Sequence, residues 1–283
     1  LEERPEFTVF VQTKQQFEMV LGKFKMYRKL SERSYGIYLA AESFDAQEWK
    51  KLADRCHEVG VRCYLMMPRI FRKEAEQYFR KQMELLTSAG FDALGIGSME
   101  EPGFLREAGI ELPMYFDQGM YSWNHLAGAA MERYGADRLT IPVELNEREI
   151  RDSGVQGEMI VYGYLPMMIS AQCIRKTTLG CSGKPEIMWL KDRKDMRFPV
   201  VNQCRFCYNT IYNSAPLSLL GLSEQVTGLK PNAVRLNFTV EEPAAAGEIL
   251  DAFFEEYGMS EKAAEPPVLR NQFTRGHFKR GVE

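Results

Sequence analysis

Short apolar runs alternate with longer stretches of helical period along most of the chain. Thr8–Gln12, Gly36–Ala41, Arg62–Pro68, Ala93–Ser98, Pro113–Asp117, Arg138–Pro142, Met159–Gly163 and Val234–Val240 read as strands. The segments between them carry apolar residues every three or four positions. Trp49, Leu52, Ala53 and Cys56 share one face of the second such segment. Ala246, Ile249, Leu250, Phe253 and Phe254 do the same between Pro243 and Tyr257. Thr13 and Ser43 stand where helix N-caps belong, and Asn146 with Glu149 has capping-box spacing. Gly60 and Gly90 end helices, the second running over Glu74–Ala89. A further helix is expected from about Ser122 to Tyr134.

Buried strands separated by helices of this length predict parallel pairing through right-handed crossovers. Eight strand–helix units predict an α/β fold, a (β/α)8 TIM-like barrel, with an open doubly wound sheet as the alternative. On this reading residues 1–164 hold the first seven strands and 165–232 form a large cysteine-containing insertion after strand seven. Residues 233–258 supply the last strand and helix, and 259–283 a C-terminal tail read as a loop. Loops that follow barrel strands gather at the C-terminal face, where active sites are built. The insertion therefore belongs at the mouth. The strand ends offer Glu42, Arg69, Ser98, Asp117, Gln118, Glu144 and Tyr162 there. Glu144, directly after Ile-Pro-Val, is placed to act as acid or base, with an ion pair to a neighbouring Arg as its plain alternative. His125 could hydrogen-bond a substrate or be a structural histidine on a helix face.

The insertion holds Cys173, Cys181, Cys204 and Cys207, spaced C-x7-C-x22-C-x2-C. Four thiolates can close on one soft metal centre, zinc or an iron–sulfur cluster. The irregular first pair leans away from a zinc ribbon. Buried core thiols and a disulfide pair remain the other readings. Cys56 and Cys63 lie in a helix and a strand and read as core thiols.

Composition adds limits. The 283 residues are 45% hydrophobic and 27% charged, ordinary for a globular chain, and the net charge of −3 excludes a polycation. No apolar run is long enough to span a membrane, and no secretory signal opens the chain, so a cytoplasmic location with reduced or metal-bound rather than bridged cysteines is expected. The charged start at Leu1 reads as a cut from a longer protein. Locally the charge differs. Between Leu165 and Tyr208 eight Lys and Arg face three acids, including Arg175, Lys191 and Arg193. Such an excess suits RNA or a dicarboxylate, with Trp189 and Tyr208 as stacking candidates, or an ordinary solvated surface. Neither an H-E-x-x-H nor a G-x-S-x-G motif occurs.

Several motifs together resemble the collagenase-like peptidase family, peptidase family U32. They are Val161-Tyr-Gly-Tyr-Leu-Pro-Met-Met168, the four cysteines, Leu190-Lys-Asp-Arg193, Phe198-Pro-Val200 and Ile211-Tyr-Asn-Ser214. Asp117-Gln-Gly-x3-Trp-Asn124, Pro142-Val-Glu144-Leu-Asn146 and Thr274-Arg-Gly-His277-Phe-Lys-Arg-Gly281 extend the match from about residue 30 to the end. The likeness is greatest to the C-terminal part of long bacterial members. It implies an iron–sulfur (4Fe-4S) enzyme that hydroxylates a base in ribosomal or transfer RNA, or a quinone precursor, without molecular oxygen, with prephenate as oxygen donor for the RNA-modifying members. It implies Cys173, Cys181, Cys204 and Cys207 as ligands. Glu144, Tyr162 and His125 stand as catalytic candidates. Asp117, Gln118, Asn124, Arg175, Lys191, Arg193 and His277 stand as substrate-binding candidates. A peptidase, as the family label states, and a zinc-stabilised module that binds RNA or docks a missing N-terminal part are the competing expectations.

Overall fold

The structure is a computed structural model that describes residues 4–259 and 272–280. Arg270, Gly281 and the Glu265-Pro-Pro stretch of the expected tail lie outside the described residues. The first part of the chain runs β1 (Glu6–Val11), α1 (Lys14–Tyr27), β2 (Tyr35–Ala40), α2 (Trp49–Glu58), β3 (Arg62–Met66), α3 (Lys73–Lys81), α4 (Met83–Ser88) and β4 (Ala93–Ile96). It continues through α5 (Glu100–Glu107), β5 (Met114–Phe116), α6 (His125–Tyr134), β6 (Arg138–Leu139), α7 (Glu147–Ser153) and β7 (Glu158–Gly163). Then come β8 (Pro166–Ser170), α8 (Ile174–Leu179), β9 (Ile187–Lys191), β10 (Arg197–Gln203) and β11 (Tyr208–Tyr212). The last elements are β12 (Leu217–Ser218), α9 (Ser223–Gly228), β13 (Ala233–Phe238) and α10 (Pro243–Phe254).

This is a mixed α/β fold built on a curled parallel sheet. Nine strands are ordered β12-β7-β13-β1-β2-β3-β4-β5-β6, and only the short β12 runs antiparallel to its neighbour. The sheet curls until its far end returns. Thr140, just past β6, bridges Glu158 of β7, and the Ile141 N–H donates to the Glu158 carbonyl at 2.9 Å.

Alternate residues of each strand meet different surroundings. Phe7, Val9 and Val11 of β1 and Val234, Leu236 and Phe238 of β13 enter the main core with Phe17 and Phe24 of α1 and Leu250 and Phe253 of α10. Each such side chain contributes about 1.5–3 kcal/mol when taken from water. The inward set is smaller and more polar. Tyr38, Tyr64, Met66 and Ala93 cluster there with Phe10 and Tyr115. Charges thread between these rings. Glu158 accepts from Thr8 Oγ1 at 2.6 Å, Tyr38 Oη at 3.1 Å and Arg235 Nη1 at 2.9 Å. Arg235 also binds Asp117. At the other end Glu6 accepts from Tyr64 Oη at 2.6 Å and Arg138 Nη1 at 2.7 Å.

A separate four-stranded antiparallel sheet, ordered β8-β11-β10-β9, spans 166–212. The sequence pattern does not resolve these strands. Afterwards the chain rejoins the large sheet through β12, so the excursion is shorter than the expected 165–232. The β9–β10 turn is made by Asp192, whose Oδ1 accepts from the N–H groups of Lys194 at 2.7 Å and Met196 at 2.9 Å.

Local expectations fare unevenly. Thr13 caps α1 with a reciprocal Gln16 bond, and Asn146 does likewise with Glu149. Ser43 is not a cap. Its Oγ accepts from Gln12 Nε2 at 2.6 Å, and Asp45 instead accepts the Gln47 N–H ahead of α2. The helix expected over Glu74–Ala89 breaks at Gln82 into α3 and α4. The helix expected from Ser122 starts at His125. Among the described residues, no helix is long and apolar enough to cross a membrane.

Candidate functional site

The C-terminal ends of the parallel strands surround a cavity of about 420 Å³. Its floor and walls include Glu42, Arg69, Asp117, Gln118, Glu144, Tyr208, Arg235, Asn237, Thr239 and His277. The antiparallel sheet closes one side with Gln203, Tyr208, Thr210 and Tyr212. Arg69 crosses the rim and donates to the Gly97 carbonyl at 3.0 Å. It passes directly over Gly119. A Cβ at Gly119 would fall 1.1 Å from Arg69 Nη1, so only glycine leaves the guanidinium that path. Burial works against the charge of Arg235, but Asp117 and Glu158 hold its pKa above the ordinary arginine value.

Several acceptors on the cavity, Glu144 Oε2, Asn237 Oδ1 and Thr239 Oγ1, have no hydrogen-bond partner among the described residues. No ion pair to Glu144 is present among the described residues, so the plain reading of Glu144 as an arginine partner has no contact to support it. Burial raises the Glu42 carboxyl, opposed by the Tyr208 hydroxyl, backbone N–H groups and Arg205. Burial raises Glu241 to about 7, opposed by the N–H groups of Thr239 and Val240 and by Tyr162.

The Glu241 shift has a sign that can be measured. Below its unfolded value both states hold the proton, and the protonated carboxyl favours the fold in full. Between about 4.5 and about 7 the unfolded chain releases the proton first, so stability declines as pH rises. Glu241→Gln is expected to flatten that decline in unfolding curves recorded from pH 5 to pH 8. An unchanged slope would remove Glu241 as its source.

The cysteine segment docks beside this cavity. Cys204 and Cys207 flank the turn between β10 and β11, and the residues between them grip the main body. Arg205 Nη1 donates to the carbonyls of Ala41 at 2.8 Å and Phe44 at 2.5 Å, and Arg205 pairs with Asp45 at 3.6 Å. Phe206 packs its ring on Tyr78 and Phe79. Tyr208 Oη donates to Glu42. Burial pushes the Cys204 thiol up, and Cys173, Cys181, Cys207 and Glu186 push it further. Cys173 also caps α8, its Sγ accepting the Lys176 N–H at 3.4 Å. Among the described residues, no group of three or more His, Cys, Asp or Glu is already drawn together closely enough to hold a metal ion. Four half-buried or exposed thiols are of the donor type that a thiophilic centre takes.

Asp117, Gln118, Glu144 and His277 thus meet at the cavity. Other expected site residues lie elsewhere. Tyr162 turns into the main core against Phe238 and Phe253. Asn124 is spent as the N-cap of α6, accepting from Leu126 and Ala127, and His125 is exposed on that helix. Arg175 pairs with Glu186 at 2.6 Å and Lys191 with Asp195 at 2.7 Å, while Arg193 is exposed. Tyr208 is buried and cannot stack on a base, whereas Trp189 is 56% exposed. Cys56 and Cys63 are buried core thiols. Reading the sequence missed Arg235, Glu158, Arg205 and Glu241. Arg235 alternates with Val234 and Leu236 in a strand, and that break in the apolar run was the available signal.

The fold and its C-terminal cavity define an α/β protein with a curled parallel sheet and a cysteine-bearing sheet docked at its rim. The family model described as Peptidase family U32 matches residues 28–245. The chain belongs to that family. Among solved structures it is similar to a thiamine phosphate pyrophosphorylase from Pyrococcus furiosus, at 10% identity and TM-score 0.46, over 91% of this chain and 98% of that one. It is also similar to the YdjI aldolase from Escherichia coli K12, at 11% identity and TM-score 0.42, over 92% of this chain and 82% of that one. No curated protein sequence matches.

Proposed function

We propose that the chain carries an iron–sulfur cluster on Cys173, Cys181, Cys204 and Cys207 and belongs to an oxygen-independent hydroxylase acting on an RNA base. The observation that carries this reading is the docking of the C-x2-C turn. Arg205, Phe206 and Tyr208 fasten it to the rim, so the sulfurs sit beside a polar cavity rather than on a free loop. The eight parallel strands are read here as a complete (β/α)8 barrel, supported by the Thr140–Glu158 bridge. When bound, the cluster would supply electron transfer at the mouth.

The chain's own residues supply binding and orientation. Arg69 gives the cavity a positive edge, while Glu144, Asn237 and Thr239 offer acceptors to a ligand's N–H or O–H groups. The antiparallel sheet supports the RNA part of the reading. Lys176, Lys184, Arg193, Lys194 and Arg197 are exposed, as is Trp189, and no ion pair neutralises them among the described residues. Prephenate as oxygen donor is what the resemblance implies.

The test is metal and sulfide content with a visible spectrum, on protein purified without oxygen. Wild type is expected to hold iron and sulfide, and Cys204→Ala/Cys207→Ala to lose both. Zinc alone would favour a structural or RNA-docking module. Peptide hydrolysis that survives loss of all four cysteines would favour the peptidase reading, which rests on the family description.

A further inference from the structure

In the loop between β5 and α6, Tyr121 adopts a left-handed backbone, at φ 55° and ψ 60°. A bulky side chain is an outlier there, and such a conformation persists only where the surroundings impose it. They do so from both sides. Met120 is buried, and its N–H donates to the Asp117 carbonyl at 2.9 Å. Asp117 is itself bound to Arg235. Ser122 is buried as well, its Oγ donating to the Thr140 carbonyl at 3.2 Å. The Trp123 N–H closes the turn on the Tyr121 carbonyl at 2.8 Å. With both neighbours fixed inward, the chain turns through Tyr121 and its side chain stands out.

The fold gains little from that ring. It is 49% exposed, and it enters no aromatic or cation contact among the described residues. It does line the cavity at the strand ends. The same cavity presents Glu144 Oε2, Asn237 Oδ1 and Thr239 Oγ1, acceptors without a hydrogen-bond partner among the described residues. A flat aromatic face and a set of acceptors on one cavity suit a planar heterocycle that stacks by its ring and donates from N–H groups on its edge. Stacking on an aromatic side chain tolerates any base, so the acceptors would do the selecting.

We infer that Tyr121 is a binding residue of this cavity, a stacking platform for a nucleobase, and that its left-handed backbone is kept because it presents the ring there. The inference rests on the RNA reading above. It sets fold and binding against each other. Glycine adopts positive φ freely, so Tyr121→Gly relieves the backbone while removing the platform. Alanine removes the platform and keeps the unfavourable backbone. Phenylalanine keeps both ring and backbone.

The experiment uses the full chain prepared without oxygen, as wild type, Tyr121→Phe, Tyr121→Ala and Tyr121→Gly. Binding of a fluorescein-labelled single-stranded RNA of mixed sequence is followed by anisotropy at several salt concentrations, and each protein is unfolded in urea. Phe is expected to bind as wild type does, and Ala and Gly about tenfold more weakly. The salt dependence should be the same in all four, since no phosphate contact is lost. Gly is expected to unfold at a higher urea concentration than Ala, and no lower than wild type. Wild-type affinity in Ala and Gly would overturn the role of Tyr121 and leave the RNA reading intact. Gly unfolding well below wild type would make the ring a structural element, and Phe binding as weakly as Ala would credit the hydroxyl; either result overturns the platform. A wild type that binds no RNA would overturn the RNA reading itself, and this inference with it.

Discussion

Glu158→Ala is expected to cost the fold about 3–5 kcal/mol, because it leaves a buried charge without its counter-charge. Glu158 is fully buried and binds Thr8, Tyr38 and Arg235 at once. Its removal leaves Arg235 in the interior with Asp117 alone, and strips the Thr8 hydroxyl of its 2.6 Å acceptor. Glu158→Gln keeps an acceptor for Thr8 and Tyr38 and is expected to fall between wild type and Ala. Urea unfolding of the three proteins checks this. A loss below about 1 kcal/mol for Ala, the range of an exposed pair, would show that water reaches Arg235 and that the interior is not sealed.

Arg205→Ala is expected to loosen the cysteine turn. The guanidinium donates to the Ala41 and Phe44 carbonyls and reaches Tyr78 Oη at 3.2 Å, contacts that no smaller side chain replaces. Hydrogen bonds to a charged donor are each worth about 1.5–3 kcal/mol, and the exposed Asp45 pair adds little. A stability loss of about 2–3 kcal/mol is expected, and, if the cluster proposed above is bound, faster loss of its iron to a chelator. Arg205→Lys is expected to recover only part, since one ammonium cannot span the same acceptors. Full metal retention in Arg205→Ala would show that Phe206 and Tyr208 suffice to hold the turn.

The parallel strands were legible because both faces are buried, and apolar runs such as Met159–Gly163 stand out against their surroundings. The antiparallel sheet was not. In β9 the sequence Ile187-Met-Trp-Leu-Lys191 is largely exposed, so no burial enforces an alternation that could be read. Pro199 also interrupts β10 opposite Trp189. At the site, Asp117 and Gln118 were found because they directly follow the end of β5, and Glu144 because it follows the apolar Ile-Pro-Val run beyond β6. Tyr162 was misplaced for the same reason. It ends an apolar run, but its position in the alternation sends the ring outward to Phe238 and Phe253. Asn124 shows a different limit, since a cap and a ligand-binding amide look alike until the N–H groups of Leu126 and Ala127 are seen to use it.

The order in which the parallel strands pair has a consequence for synthesis. β13 lies between β1 and β7 although it is made some seventy residues after β7. A chain still emerging from the ribosome therefore has Glu158 and Asp117 in place before their shared cation, Arg235, exists. Until β13 arrives, those carboxylates must stay hydrated, which keeps the gap between β1 and β7 open. All four clustered cysteines leave the ribosome within that interval. The last strand is then a latch, and the charges it neutralises ensure that the interior dries only after the cysteine-bearing hairpin has been made.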